Sequence, residues 1–130
     1  MINTLTFNVG SSSLKIRLYQ NESYAWTVNI DLLQQTLDYQ GTPPSIPSTI
    51  SITGDLLTDA CCFVEQLNLS GHLVFVHRVV HGGDYVKAQL LTASVLTELE
   101  HLAPLCPLHQ PPALAVIKAL MQRYPQQQHI

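Results

Sequence analysis

Apolar and polar residues alternate along the first part of the chain, which is the pattern of half-buried β-strands. The segment LTFNV (residues 5–9) alternates, Gly10 interrupts the pattern, and LKIRL (residues 14–18) resumes it. After a short polar turn, SYAWTVNI (residues 23–30) continues with β-branched and aromatic residues. These residues predict a β-hairpin extended by a third strand into a meander.

The pattern changes after residue 54. Proline-rich residues 38–54 predict a loop, and the residues that follow have apolar positions at helical spacing from Asp55 towards Gly71. A nearly continuous apolar run at residues 73–83 predicts a buried strand, because it is β-branched and ends in two glycines. Two further helices are predicted, one at residues 92–102 with Thr92 or Ser94 as a candidate N-cap, and one at residues 113–124 after a proline-rich loop.

Strands followed by helices that return to a sheet indicate an α/β fold, and 130 residues indicate one domain. The chain is 46% hydrophobic with a formal net charge of −3, which argues against a nucleic-acid partner. We expect no signal peptide and no membrane span, because the N-terminus has no basic region and no apolar run is long enough. The predicted location is the cytoplasm.

The hairpin tip concentrates groups that hold anions. Gly10 allows a tight turn through positive φ, serine hydroxyls at positions 11–13 can donate hydrogen bonds to phosphate, and Lys15 supplies a charge. Asn8 offers a carboxamide that could hold a metal-bound water. The motif is not a Walker A loop, because a strand follows it and GxxxxGK[ST] is absent. The alternative is a serine-rich hairpin turn with a solvated lysine, and the residues alone leave both interpretations open.

Two later segments carry further candidates. Arg78 interrupts an apolar run, where a guanidinium must find an anion, either a ligand or one of the chain's own acids, or reach out of the sheet. Gly82-Gly83 would let a ligand approach the end of the predicted strand. His109, in the loop LAPLCPLHQPP, can donate a hydrogen bond to developing negative charge, or is a loop histidine without a partner.

Taken in order, FNVGSSSLKIRLY, VHRVVHGGDYV and LAPLCPLHQPPAL resemble segments of the acetate kinase family, which includes propionate and butyrate kinases. The resemblance covers residues 3–130. It implies one ribonuclease-H-like half of an actin-like ATPase fold, with the hairpin meander first, then helices alternating with a buried strand, and the last strand missing. It also implies phosphoryl transfer from ATP to acetate with Mg²⁺, giving acetyl phosphate.

The resemblance assigns roles residue by residue. Gly10, Ser11, Ser12 and Ser13 would form the phosphate turn, Lys15 would bind ATP, and Asn8 would help to bind Mg²⁺. Arg78 would hold the acyl carboxylate, Val80 would line the acyl pocket on the same strand face, and His109 would lie near the transferring phosphoryl group.

Members of that family are longer, and a catalytic aspartate, a second arginine, a magnesium-binding glutamate and the adenosine pocket lie further along their chains. We therefore expect residues 1–130 to be an N-terminal domain that is inactive alone, and its parent to be a homodimer with ATP and acetate as small-molecule partners. A non-catalytic anion-binding or interaction module is the alternative from a different class. Propionate and butyrate remain alternative substrates.

Overall fold

The computed structural model describes residues 1–41 and 50–130 of the chain. Its regular elements, in chain order, are β1 (Ile2–Val9), β2 (Ser13–Gln20), β3 (Ser23–Asp31), β4 (Thr36–Gly41), α1 (Leu56–Gln66), β5 (His72–His77), α2 (Ala93–His101), a 3₁₀ helix (Ala103–Leu105), α3 (Gln110–Arg123) and β6 (Gln128–His129).

The six strands of the described residues form one sheet in the order β4-β3-β2-β1-β5-β6. Strands β1 to β4 are an antiparallel meander, whereas β5 pairs in parallel with β1, from Ile2↔His72 to Phe7↔His77, and β6 pairs in parallel with β5. Parallel neighbours need a crossover. Helix α1 lies in the connection from β4 to β5, and α2 and α3 lie in the connection from β5 to β6. The α/β class and the predicted meander are confirmed.

The main core lies between one face of the meander and helices α1 and α3. Alternate residues of the strands point to this face, and Leu5, Leu14 and Ile16 are completely buried there. Trp26 on β3 packs edge-on against Phe63 of α1, with 5.8 Å between ring centroids. Each such buried side chain contributes about 1.5–3 kcal/mol through removal of apolar surface from water.

Strand β4 corrects the prediction of a loop over residues 38–54, part of which (42–49) lies outside the described residues. A turn joins β3 to β4, and the N–H groups of Leu33 and Gln34 donate to Asp31 Oδ1 in it at 3.0 and 2.9 Å. Most of β4 is exposed, so it has no apolar alternation to reveal it in the sequence. Its pairing with β3 defines it instead.

The helix ends follow the predicted capping signals in part. Thr92 is the N-cap of α2 and its Oγ1 accepts the Val95 N–H at 3.2 Å, as predicted. Helix α3 has proline in its first turn, where a missing N–H costs nothing. Helix α1 ends at Gln66, before the predicted stop near Gly71. None of the helices in the described part of the chain combines the length and apolar composition that crossing a membrane requires.

The prediction that a strand runs through residues 73–83 is wrong in its second half. Pairing with β1 ends at Phe7↔His77, and the N–H of Arg78 makes one last bond to the Phe7 carbonyl at 2.9 Å. Beyond it the chain is irregular, so Val80 and Arg78 do not share a strand face. The backbone of His81 bonds to a helix side chain instead of a neighbouring strand.

The last strand, expected to be missing, is present as the two residues of β6. The Ile130 N–H donates to the Phe75 carbonyl at 2.9 Å, and the His77 N–H donates to the Ile130 carbonyl at 2.7 Å. On the opposite side of β6, the N–H of Leu91 donates to the His129 carbonyl at 2.7 Å. Two polar residues are too few to show a strand pattern, so only these backbone bonds reveal it.

Candidate functional site

The turn between β1 and β2 is closed by the Gly10 N–H, which donates to the Ser13 carbonyl at 2.8 Å. Gly10 does not adopt positive φ, contrary to the prediction. Glycine fits here for a different reason: a Cβ atom at this position would collide with Ser13 Oγ. The turn therefore depends on close approach of its two ends and not on left-handed backbone.

The three serines present a polar tip on a fixed backbone. Ser11 and Ser13 are exposed and Ser12 is half-buried. The Leu32 N–H donates to the Ser12 carbonyl at 2.9 Å, which ties the tip to the turn after β3. The hydroxyls thus stand at the end of the sheet, on a backbone held at two points.

A row of polar side chains crosses the outer face of the sheet next to this turn. Asn8 of β1 lies opposite Lys15 of β2, and Lys15 lies opposite Asn29 of β3. All three residues alternate with core residues, so they share the face away from the helices. Side chains directly opposite each other on neighbouring strands are about 5 Å apart at Cβ. The ladder therefore places Asn8 and Lys15 next to each other on this face.

Arg78 joins this row from the end of β5. Its side chain is exposed, and Nη1 donates to Asn8 Oδ1 at 3.4 Å. The ion pairs present among residues 1–41 and 50–130 are Lys118–Glu100 and Arg123–Glu65, so Arg78 is not neutralised by an acid of the described chain. Pairing with one of the chain's own acids is therefore not observed among the described residues, and the side chain reaches out of the sheet into solvent.

His109 lies at the start of α3. It is the N-cap residue, but its imidazole makes no capping hydrogen bond and is exposed. The next residue, Gln110, is completely buried, and its amide bonds to both the N–H and the carbonyl of His81. Among the hydrogen bonds of the described residues, none joins His109 directly to Asn8, Lys15 or Arg78. The connection between His109 and the Arg78 loop passes through Gln110.

Val80 is 43% exposed on the loop after β5. One cavity beside this loop, about 390 Å³, is lined by Val79 and Gly82 but not by Val80, and it continues to Leu99 of α2 and to Ile130. The predicted acyl-pocket residue is therefore exposed to solvent in the described structure. Asn8, Lys15 and Arg78 are brought together, whereas Val80 and His109 stand apart from them.

A pair of buried histidines lies directly behind Arg78. His77 Nε2 is 3.3 Å from His129 Nδ1, and His129 Nε2 is 3.1 Å from the Tyr124 carbonyl oxygen. A carbonyl only accepts, so His129 carries its proton on Nε2 and accepts at Nδ1 from His77. Burial, with a smaller contribution from His129, lowers the pKa of His77 to about 3, and burial also lowers the pKa of His129. Both rings are therefore neutral at pH 7 and fasten β6 to β5.

The donor set near Asn8 suits a magnesium ion only in part. Mg²⁺ in proteins commonly takes one or two carboxylates together with phosphate oxygens and waters. Asn8 supplies one amide oxygen, which already accepts from Arg78, and the described residues contain no group of three His, Cys, Asp or Glu side chains arranged for a metal. Among the described residues, this set supplies fewer ligands than Mg²⁺ takes in a site built from protein groups alone.

Comparison with known proteins shows the family to which the chain belongs. The sequence profile of the acetokinase family matches residues 3–130. The chain belongs to the acetokinase family. An acetate kinase of Borrelia hermsii is 32% identical over an alignment that covers 93% of this chain and 33% of that protein. The chain thus spans about a third of the length of this acetokinase relative.

Solved acetokinase structures share the fold. An acetate kinase from Entamoeba histolytica superimposes with a TM-score of 0.73 and 24% identity, over 98% of this chain and 33% of the other. A propionate kinase from Francisella tularensis gives 0.72 and 24%, over 99% and 36%. At this identity the likeness concerns the fold alone. It confirms the predicted ribonuclease-H-like, actin-like ATPase architecture.

The sequence interpretation missed three residues around the candidate site. Asn29 was assigned only to a strand, although the alternation of β2 and β3 was sufficient to place it beside Lys15. Gln110 was passed over because a glutamine on a helix is usually exposed. His129 sits in a short polar tail, and its pairing with His77 depends on a parallel contact across 52 positions of sequence. Only the first of these had a local signal.

Proposed function

We propose that residues 1–130 form the N-terminal domain of an acetate kinase. The reaction breaks the bond between the γ-phosphorus of ATP and its bridging oxygen and forms a bond from a carboxylate oxygen of acetate to that phosphorus, giving acetyl phosphate and ADP reversibly. The observation that carries the proposal is the convergence of Asn8, Lys15 and Arg78 beside the Gly10–Ser13 turn. Family membership supports the choice of reaction.

Phosphoryl transfer requires positioning and charge neutralisation more than covalent catalysis. Lys15 and Arg78 bring two positive charges to one end of the sheet, and the serine hydroxyls add donors for phosphate oxygens. Lys15 stands on a paired strand, so its position follows the ladder. We assign it and the turn to the phosphates of ATP.

Arg78 is assigned to the acetate carboxylate. A guanidinium can donate two parallel hydrogen bonds to a carboxylate, and no acid of the described chain competes for it. Its present acceptor, Asn8 Oδ1, is a neutral oxygen at a long 3.4 Å, which a carboxylate readily replaces. Release of Asn8 from Arg78 would free its carboxamide to orient a water of a nucleotide-bound magnesium ion. Magnesium would neutralise phosphate oxygens when bound.

His109 is assigned to the transferring phosphoryl group. Its exposed imidazole is not used in capping, so it can donate a hydrogen bond to a phosphoryl oxygen that gains charge. In the structure it is not yet in contact with Arg78 or Lys15. The assignment therefore requires α3 and the Arg78 loop to face a common cleft, whose other wall lies in sequence outside these 130 residues.

The experiment is a titration of the ¹⁵N-labelled chain with sodium acetate, followed by amide and arginine side-chain NMR. We expect shifts at Arg78 and Val80, and expect R78A to weaken acetate binding by about 10- to 100-fold, the loss of a charge-assisted hydrogen-bond pair. The matched control is R17A, which removes an exposed arginine of β2 from the face that also carries Lys15. Equal loss in both variants, or none in R78A, would contradict the assignment.

Catalysis by the chain alone is a separate measurement. Because the chain spans about a third of its relatives, we expect negligible acetyl phosphate formation from ATP and acetate. The same titration with propionate and with butyrate tests which acyl chain the domain prefers. Tighter binding of either than of acetate would make that acid the proposed substrate. Binding of acetyl phosphate that does not depend on Arg78 would instead favour the non-catalytic anion-binding module.

A further inference from the structure

Gln110 is a completely buried polar residue at a junction of three elements. Its Nε2 donates to the His81 carbonyl at 2.9 Å and to the Leu99 carbonyl at 3.3 Å, and its Oε1 accepts the His81 N–H at 3.3 Å. Both donor hydrogens and the acceptor oxygen of the amide are thus used. The side chain connects the first turn of α3 to the loop after β5 and to α2.

The bonds to His81 engage both polar groups of one residue's backbone. This is the contact that a neighbouring strand would make, and it fixes the orientation of the backbone as well as its position. After Arg78 the loop has no strand partner, and the nearest further bond, from the Gly83 N–H to His81 Nδ1, is internal to the loop. Gln110 therefore fastens the part of the loop that follows Arg78 and Val80 to the rest of the fold.

We propose that Gln110 is a positioning residue that sets where the Arg78–Gly83 loop stands relative to His109. His109 and Gln110 are consecutive, so the residue that anchors the loop also starts the helix that carries the imidazole. What Arg78 and His109 bind rests on the proposed function. The anchoring itself rests on the three hydrogen bonds of one buried amide.

The chemistry of the site requires an amide of this length. A glutamate would have no N–H for the His81 and Leu99 carbonyls, and asparagine is shorter by one methylene. Methionine has nearly the same length and suits a buried position, but it makes no such bonds. Gln110→Met is therefore the test variant, because it removes the hydrogen bonds and keeps the volume. Gln122→Met, on an exposed position of the same helix, is the matched control.

The test is amide hydrogen exchange and NMR chemical shifts on the full 130-residue chain, with acetate as the probe ligand. In Gln110→Met we expect the His81 amide to exchange about tenfold faster, while Phe75 and Ile16 in the core keep their rates. We also expect shifts of the Arg78 side chain and the His109 ring, and acetate affinity about fivefold lower than in Gln122→Met.

Each result is decisive. Unchanged exchange at His81 would overturn the anchoring, and equal acceleration at Phe75 and Ile16 would show a loss of global stability only. Faster exchange at His81 with unaltered acetate affinity would overturn the positioning role. If the unmodified chain binds no acetate, the proposed function fails. The shifts of Arg78 and His109 then decide the positioning claim by themselves, supporting it if they move and overturning it if they do not.

Discussion

The two sides of the candidate site are held in place by different means. Asn8 and Lys15 stand opposite each other on paired strands, with one further pair, Val9↔Leu14, towards the turn and the rest of the β1–β2 ladder, back to Asn3↔Gln20, on the other side. Arg78 and His109 stand where regular structure stops, and single side chains such as Gln110 fix their surroundings. The first arrangement has many redundant bonds, whereas the second depends on a few. The second side is therefore where single substitutions should change position without unfolding the chain.

The largest effect is expected on the side of the site that carries Asn8 and Lys15, where the β1–β2 ladder holds the residues in place. Ile16→Ala removes a completely buried side chain from the centre of β2, and we expect the free energy of unfolding to fall by about 4 kcal/mol through lost burial and a residual cavity. Urea denaturation measures it. Exchange should accelerate together at the amides of β1 and β2, because the ladder holds as a unit.

The neighbouring substitution Arg17→Ala is the control, since this side chain is exposed and the change should stay within about 0.5 kcal/mol. If Ile16→Ala prevents folding, Ile16→Val should cost about 1 kcal/mol by the same mechanism. A loss confined to β5 and β6 would contradict the contrast between the two sides.

The second effect depends on pH and tests the other side. The pKa of His77 is about 3 in the folded chain, below the usual value of 6.5, so the unfolded chain binds the proton first as pH falls. The stability contribution is complete above pH 6.5 and is lost as pH falls towards 3. Across that range we expect a loss on the order of 5 kcal/mol from this group. Thermal melts at a series of pH values measure it.

His77→Phe keeps an aromatic ring in the stack with Phe7 and Phe75 and removes the titration, so its stability should depend less steeply on pH than that of the unmodified chain. The ring of His77 contacts His129, which in turn contacts the Tyr124 carbonyl. The hydroxyl of Tyr124 titrates far above this pH range. Identical slopes for both proteins would contradict a neutral buried His77.

The smallest effect concerns the connection that leads from the loop into α2. Thr92→Ala removes the N-cap bond to the Val95 N–H and should cost about 1 kcal/mol, whereas Thr92→Ser should retain stability. We expect faster exchange in α2 with little change in the meander, measured by amide exchange. Acceleration in β1 and β2 by the same factor would show that the two sides are not independent.

The contrast also explains what the sequence could predict. Residues 5–30 show the alternation of the meander, because each strand buries one face and the rule acts between neighbours in sequence. The boundaries of α2 and α3 follow from Thr92 and the prolines, which are local signals as well. Strand β4 is not predicted from the sequence because it is mostly exposed, and β6 is not predicted because it has only two residues.

The candidate site divides in the same way. Asn8 and Lys15 could be placed together from register alone. The end of β5 at His77 could not, since β1 itself continues to Val9 and the backbone of His81 is bonded by Gln110, far away in sequence. The assumed strand face for Val80 failed for that reason. Long-range polar contacts of this kind leave no periodicity in the sequence.

The chain has a single tryptophan, and its position has a practical consequence for spectroscopy. Trp26 is buried against Phe63, between β3 and α1, and therefore its fluorescence reports the meander and the helix that covers it. It has no counterpart near Arg78, Gln110 or His129. A melt followed by tryptophan fluorescence will thus report one side of the molecule, and release of the loop or of β6 will leave that signal unchanged unless a second tryptophan is introduced there.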